Sequence, residues 1–162
     1  MESIKFINTN FDPSNSEFMT AAVAMAKAYG YTADLKLDKE LAQLIRLRVA
    51  TVNKCSYCGI LHQETARKLN ILQAKIDNLG SYWHSELFSE KEKAALEYTD
   101  VLNEGTSSNF NEFHLKLTAF FTEEEIAEIA YITINMNLWT RIKLAQRSEE
   151  RRVGKECLSR CR

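Results

Sequence analysis

Glycine and proline are scarce: the 162 residues include five Gly and a single Pro, Pro13. Turn-rich β architectures need more of both, so their scarcity argues against a β sandwich or barrel and favours an all-α fold. No apolar run approaches the roughly 18 residues that a membrane helix needs. The opening Met1-Glu2-Ser3-Ile4-Lys5 lacks the apolar core of a signal peptide. A cytoplasmic location with reduced cysteines is therefore expected. Cysteine is scarce as well: there are four, of which two, Cys157 and Cys161, fall in the last sixteen residues.

Those sixteen residues stand apart. Arg147 to Arg162 shows no helical apolar period and resembles the in-frame translation of a DNA-sequencing adapter, so it is set aside as a non-native tail. Residues 1–146 then form one domain, long enough to bury a core. Taking the tail's six Lys/Arg and three Glu from totals of 21 and 22 leaves 15 basic and 19 acidic residues. The formal charge moves from −1 to −4. An acidic chain lacks the basic face that nucleic acid requires, so no nucleic-acid partner is expected, and no membrane partner either.

The remainder, 45% apolar and 27% charged over the whole chain, has the composition of a globular protein. Residues 1–13 read as irregular. Ser14 or Asn15 caps a helix over 16–28, with Phe18, Ala21, Ala22, Met25 and Ala28 at helical spacing; Tyr29-Gly30 ends it, with Gly30 as the C′ residue. Asp38 caps a helix over 39–52 whose apolar face includes Leu41, Leu44, Ile45, Leu47, Val49 and Val52. Arg46 and Arg48 are placed off that face, in surface or subunit ion pairs. A third helix covers 56–69, and a short one over 72–78 stops at Gly80. Capping boxes at Ser89–Glu92 and Thr122–Glu125 open helices reaching 103 and 145. A helix over 110–120 between them is expected to bury Phe113, Leu115, Leu117 and Phe120. The last helix should bury Ile126, Ile129, Ile132, Ile134, Leu138 and Ile142. The count is six to seven helices.

One stretch carries chemistry: Cys55-Ser56-Tyr57-Cys58-Gly59-Ile60-Leu61-His62. Positions three and four apart share a helix face, so Cys55, Cys58 and His62 line one stripe. Both thiols fall at the start of a helix, where unpaired N–H groups and the dipole favour thiolate. Structural zinc commonly needs four ligands, and only three candidates lie close in sequence. Covalent haem attachment wants His directly after the second Cys, where Gly59 stands. Two unconnected core cysteines remain an alternative. The spacing fits dithiol–disulfide redox chemistry best. Cys58, one turn from His62, can lose its proton and attack a peroxide, and Cys55 can resolve the resulting sulfenic acid.

Leu44-Ile45-Arg46-Leu47-Arg48-Val49 followed by Asn53-Lys54-Cys55-Ser56-Tyr57-Cys58, His62 and Glu64-Thr65-Ala66-Arg67 resembles the core of the carboxymuconolactone decarboxylase family. More narrowly it is similar to the alkyl hydroperoxidase D-like branch. The likeness continues through 87–96 and 120–125 to Trp139-Thr140-Arg141. It implies an alkyl hydroperoxidase D-like helical bundle in closed oligomers (dimer, trimer or hexamer) with the site near a subunit interface. It implies Cys58 as the peroxidatic thiol, Cys55 as the resolving one and His62 in a proton relay. A hydroperoxide would be the substrate and a dithiol of the lipoyl type the external reductant, with no bound cofactor and no metal. The relay of the family often includes a glutamate twelve positions before the first Cys; here that position is Gln43, an amide that cannot act as a base. Glu40, one turn earlier, could replace it only if its side chain reaches. A redox sensor with a reversible disulfide and a lactone decarboxylase are the alternatives. His84 and His114 have no motif partners, and Tyr57 and Trp83 are candidates for a pocket wall.

Overall fold

A computed structural model describes residues 4–10, 12–105 and 109–152. Among these residues the chain forms seven α-helices, a 3-10 helix and one small two-stranded sheet. The helices are α1 (Glu17–Tyr29), α2 (Lys39–Val52), α3 (Ser56–Lys68), α4 (Gln73–Asn78), α5 (Glu90–Glu104), α6 (Phe110–Thr118) and α7 (Glu123–Ala145). The all-α expectation is met. No helix among the described residues is long and apolar enough to cross a membrane.

The hub is α2. Asp38 accepts a hydrogen bond from the Leu41 amide at its start. Leu41, Leu44, Ile45, Leu47 and Val49 are all buried. With apolar residues on several sides, α2 can pack against α3, α5 and α7 at once. Each such side chain contributes about 1.5–3 kcal/mol on leaving water. The longest helix, α7, supplies Ile126, Ile129, Ile132 and Met136 to the same core. Both capping boxes form: Ser89 and Glu92, and Thr122 and Glu125, satisfy each other's backbone amides. At the end of α5, Gly105 takes φ 66°, a left-handed conformation that suits glycine.

Several expectations are corrected. Gly30 caps α1 in extended, not left-handed, backbone; it is required because a Cβ there would lie 2.2 Å from the Ala26 carbonyl oxygen. Of the expected α1 stripe only Ala22 is buried, and Phe18 is 57% exposed. The helix packs chiefly against α7. Leu115, Phe120 and Ile134 also face outward: α6 packs mainly on α5, and α7, though met by α1, α2 and α5, leaves Ile134 uncovered. Gly80 does not end its segment; a 3-10 helix runs through it over Leu79–His84. The N-terminal stretch is not irregular: β1 (Ile4–Asn8) pairs antiparallel with β2 (Ser148–Arg152), so Asn8 lies opposite Ser148. The second strand falls within the stretch set apart as a tail.

Candidate active site

The corner between α2 and α3 places the thiols. Asn53 ends α2, and its side-chain amide donates to Asn137 Oδ1 (3.0 Å) and Thr140 Oγ1 (2.9 Å) on α7. Lys54 then takes φ 53°, which turns the chain sharply. Cys55 follows as the N-cap of α3, its amide bonded to the Ala50 carbonyl (3.1 Å). The Cys55 Sγ accepts the backbone N–H of Cys58 at 3.4 Å, where a Ser or Asp cap would normally accept. Cys55, Cys58 and His62 are all buried.

The two sulphurs are electrostatically unequal. Cys55 is pulled down to about 7, chiefly by the hydrogen bond from the Cys58 thiol, with help from the α3 backbone and the Lys143 charge and against burial. Cys58 is driven up, first because it donates that bond, then by burial and by the neighbouring Cys55 charge. In the reduced pair the negative charge therefore rests on Cys55 and the proton on Cys58.

Gln43 lies behind His62 and is fully buried. Its Nε2 donates to the His62 carbonyl oxygen (2.8 Å) and lies 3.1 Å from His62 Nδ1. A carbonyl can only accept, so the amide nitrogen must face His62. Nδ1 then serves as acceptor, and the ring proton of neutral His62 sits on Nε2. Burial, followed by the nearby Arg46 charge, pushes His62 down to about 3, so the ring is neutral at physiological pH. Among the described residues no hydrogen bond joins His62 to either sulphur. Glu40 is exposed at the start of α2, does not line the cavity beside Cys58, and among the described residues forms no side-chain hydrogen bond to this cluster.

A cavity of about 330 Å³ opens beside these groups. Cys58 and His62 line it, whereas Cys55 and Gln43 stand behind. Its walls come from α1 and the segment after it (Tyr31, Thr32), α2 (Arg46), α3 (Tyr57, Leu61) and α7 (Asn135, Trp139, Lys143). The Lys143 ammonium sits 4.5 Å from the centre of the Tyr57 ring, and Phe6 packs against that ring at 4.6 Å, edge to face. The Tyr31 ring meets His62 edge-on at 6.1 Å. Of the two candidate wall aromatics Tyr57 qualifies; Trp83 is exposed and packs on Tyr82 instead. His84 and His114 are exposed, away from the cavity. Among the described residues no cluster of His, Cys, Asp and Glu could hold a metal ion.

Arg46 is the main correction. It is buried, 4% exposed, and its Nη2 donates to the carbonyls of Tyr29 (3.1 Å) and Gly30 (2.8 Å). A signal for this was present: Arg46 lies three residues after Gln43 and so shares its helix face. Asn135, Trp139 and Lys143 were not identified as site residues, because they come from a helix some eighty residues away in sequence.

An all-helical bundle with a C-x-x-C dithiol at a helix start beside a walled cavity defines an alkyl hydroperoxidase D-like fold. The sequence profile described as "Carboxymuconolactone decarboxylase family" matches residues 16–100, more than half of the chain. The chain belongs to the carboxymuconolactone decarboxylase family. It is 28% identical over 116 residues to the uncharacterized protein YdfG of Bacillus subtilis (strain 168), covering 71% of this chain and 79% of that protein. A crystal structure from Agrobacterium tumefaciens, of a protein of unknown function provisionally described as an antioxidant defence protein AhpD, superposes with a TM-score of 0.78 at 24% identity. That match covers 88% of this chain and 96% of the other. The debrominase Bmp8, solved as a point variant in complex with 2,3,4-tribromopyrrole, superposes with a TM-score of 0.72 at 20% identity, over 84% and 72% of the two chains. At such identities the structural likeness establishes the fold.

Proposed function

We propose that the protein is a thiol-dependent hydroperoxide reductase. The observation that carries this reading is the paired, unequal dithiol, with Cys58 lining a cavity and Cys55 held as the anion at the start of α3. The Cys55 thiolate accepts the proton of the Cys58 thiol across their mutual hydrogen bond, leaving a Cys58 thiolate at the cavity wall. That sulphur attacks the outer oxygen of a hydroperoxide ROOH. The O–O bond breaks, the hydroperoxide's outer oxygen stays on Cys58 with its hydrogen as a sulfenic acid, and the alkoxide takes a proton from solvent water to leave as ROH. Cys55 then attacks the sulfenic sulphur. The S–O bond breaks, hydroxide leaves with the Cys55 proton as water, and a Cys55–Cys58 disulfide remains. An external dithiol, lipoyl-like by family resemblance, is oxidised by two electrons and restores both thiols.

In this scheme Cys55 takes the role that Gln43 cannot fill. His62, with its proton on Nε2, acts as a hydrogen-bond donor to the oxygen in the cavity. The protein would work in a reducing compartment such as the cytoplasm, as a homo-oligomer. The test is a hydroperoxide-reduction assay with a dithiol reductant, comparing wild type with Cys58→Ser. Turnover in the first and none in the second is the expected result, and equal rates would overturn the proposal.

A second reading has its own observation. Gln43 supplies no base, which suits a protein that closes its disulfide once and signals rather than turning over. Mass mapping after mild peroxide, showing a Cys55–Cys58 disulfide in a protein without catalysis, would favour it. Higher turnover in Gln43→Glu would instead identify the amide as a weakened relay. Lactone decarboxylation rests on the family's name and would have to survive loss of both cysteines.

A further inference from the structure

The reduced dithiol carries a negative charge inside the protein, and the cation that meets it comes from a different helix. Lys143 lines the cavity from α7 and is half-buried. Its ammonium sits 4.5 Å from the centre of the Tyr57 ring. That is well inside the roughly 6 Å at which a cation and a ring face attract. Tyr57 stands between the two cysteines in sequence, so a cation held on its ring is held beside the sulphurs. Phe6 packs edge-on against the same ring and steadies it. The helix is also tied down here. Asn137 and Thr140, the second one turn before Lys143, both accept from Asn53 at the corner that precedes Cys55.

No carboxylate competes for this cation. Among the described residues Lys143 forms no ion pair, and no Asp or Glu lines the cavity. The other titratable groups around the sulphurs are Tyr57 and His62 of α3, Arg46 of α2, Lys27 of α1 and Tyr31 of the segment after it. His62 is neutral. Arg46 is held by the Tyr29 and Gly30 carbonyls, and its charge acts on His62. The charge of Lys143 acts on both Cys55 and Cys58 and, among the described residues, no other cation does. Further charges on the elements packed against α3 are engaged elsewhere: Arg48 of α2 with Asp100, Lys75 of α4 with Glu92, and Asp77 with the Gln73 amide. Along β2, which also meets α3, Glu149 and Glu150 are balanced in formal charge by Arg151 and Arg152.

We propose that Lys143, seated on the ring of Tyr57, is a positioning residue for the dithiol, the counter-ion that keeps the reduced pair anionic. Closing the disulfide removes that anion and leaves the cation unmatched. Lys143 therefore favours the dithiol over the disulfide and makes the disulfide easier to reduce, because a stabilised thiolate is a stabilised reduced form. The proposal rests on the pairing of Cys55 with Cys58 and holds whether or not the pair turns over peroxide.

The test is alkylation of the reduced full-length chain by iodoacetamide across pH, followed at Cys55 and Cys58 by mass spectrometry. Sulphur attacks the methylene carbon, iodide leaves, and the rate tracks the thiolate fraction. In wild type the rate should rise with a midpoint near the value of about 7 held by Cys55. Lys143→Met should raise that midpoint by about half to one pH unit, which slows alkylation about two- to fivefold at neutral pH. Lys143→Arg, which keeps the charge, should restore most of the rate. Tyr57→Leu removes the seat but not the charge and should give a smaller rise, and Tyr57→Phe, which keeps the ring, a smaller one still. In equilibrium with oxidised and reduced dithiothreitol about one pH unit above the wild-type midpoint, the Cys55–Cys58 disulfide should be about two- to fivefold more stable in Lys143→Met than in wild type. An unmoved midpoint in Lys143→Met, or a disulfide no more stable there, would overturn the proposal. Should the methionine variant fail to fold, Lys143→Gln against Lys143→Arg makes the same comparison with the same two outcomes. The expected shifts in a chain without peroxide turnover would remove the peroxidase reading and leave this one. Turnover with an unmoved midpoint would do the reverse.

Discussion

Arg46 and Arg48 leave α2 two residues apart and reach opposite environments. Arg48 donates from Nε and Nη2 to the two carboxylate oxygens of Asp100 at 2.7 and 2.9 Å, and from Nη1 to the Leu79 carbonyl at 3.3 Å. Its guanidinium lies 5.3 Å from the Tyr82 ring centre and 5.6 Å from that of Trp83. The Tyr82 hydroxyl donates to the same Asp100 at 2.9 Å. Charge is matched and the cluster joins α2, α5 and the 3-10 helix. Arg46 has carbonyls and a cavity. A buried network that is complete holds a fold together, whereas one left incomplete keeps bonding capacity for something from outside. Among the described residues Gln43, Arg46, Asn135 and Trp139 each keep an unpaired buried atom on the Arg46 side.

The contrast can be broken by mutation. Cys58→Ser should cost peroxide turnover on the order of a thousandfold or more while leaving the melting temperature near wild type, because the site side contributes chemistry rather than cohesion. An assay paired with a thermal melt checks both halves. Asp100→Ala should do the opposite. It strands the Arg48 charge and the Tyr82 hydroxyl and should destabilise by about 3 kcal/mol in denaturant unfolding, with thiol reactivity unchanged.

A smaller effect follows from His62. Its proton affinity in the folded protein is depressed from 6.5 to about 3, so the unfolded chain takes up the proton first as pH falls. Stability held above pH 6.5 is therefore lost between there and pH 3, at a slope of up to about 1.4 kcal/mol per pH unit. Unfolding at stepped pH should show that slope in wild type and a shallower one in His62→Gln. The smallest effect concerns the tail. Among the described residues neither arginine cluster uses a residue beyond 146, so a chain ending at Gln146 should melt within about 3 °C of the full one and retain both behaviours. A larger drop would mean that β1 needs β2.

Short-range signals made much of this arrangement legible before any coordinates. Asp38 and the two capping boxes mark helix starts through backbone amides only three residues away, and the Lys39–Val52 bounds follow. The Cys55, Cys58 and His62 stripe is readable for the same reason: spacing alone puts it on one face. The direction of Arg46 was marked in the sequence only by the face it shares with Gln43, a weak signal because a charge on an amphipathic helix ordinarily points to water, and only a cavity made by other elements makes burial tolerable. The cavity joins α1, α3 and α7, whose contact depends on how the bundle closes. The β1 strand was missed because its partner lies some 140 residues along the chain, beyond any local periodicity.

The side chain of Asn53 bridges the thiol-bearing corner to Asn137 and Thr140 of α7 and accepts from Asn103 of α5 at 3.3 Å. It therefore sets how far α7 is rotated and slid relative to Cys55, and with it where Trp139 and Lys143 stand. Positions 53, 137 and 140 should then change together or not at all among related chains. A pairwise exchange there would be accepted where either single change is not, a pattern of inheritance traceable to one amide.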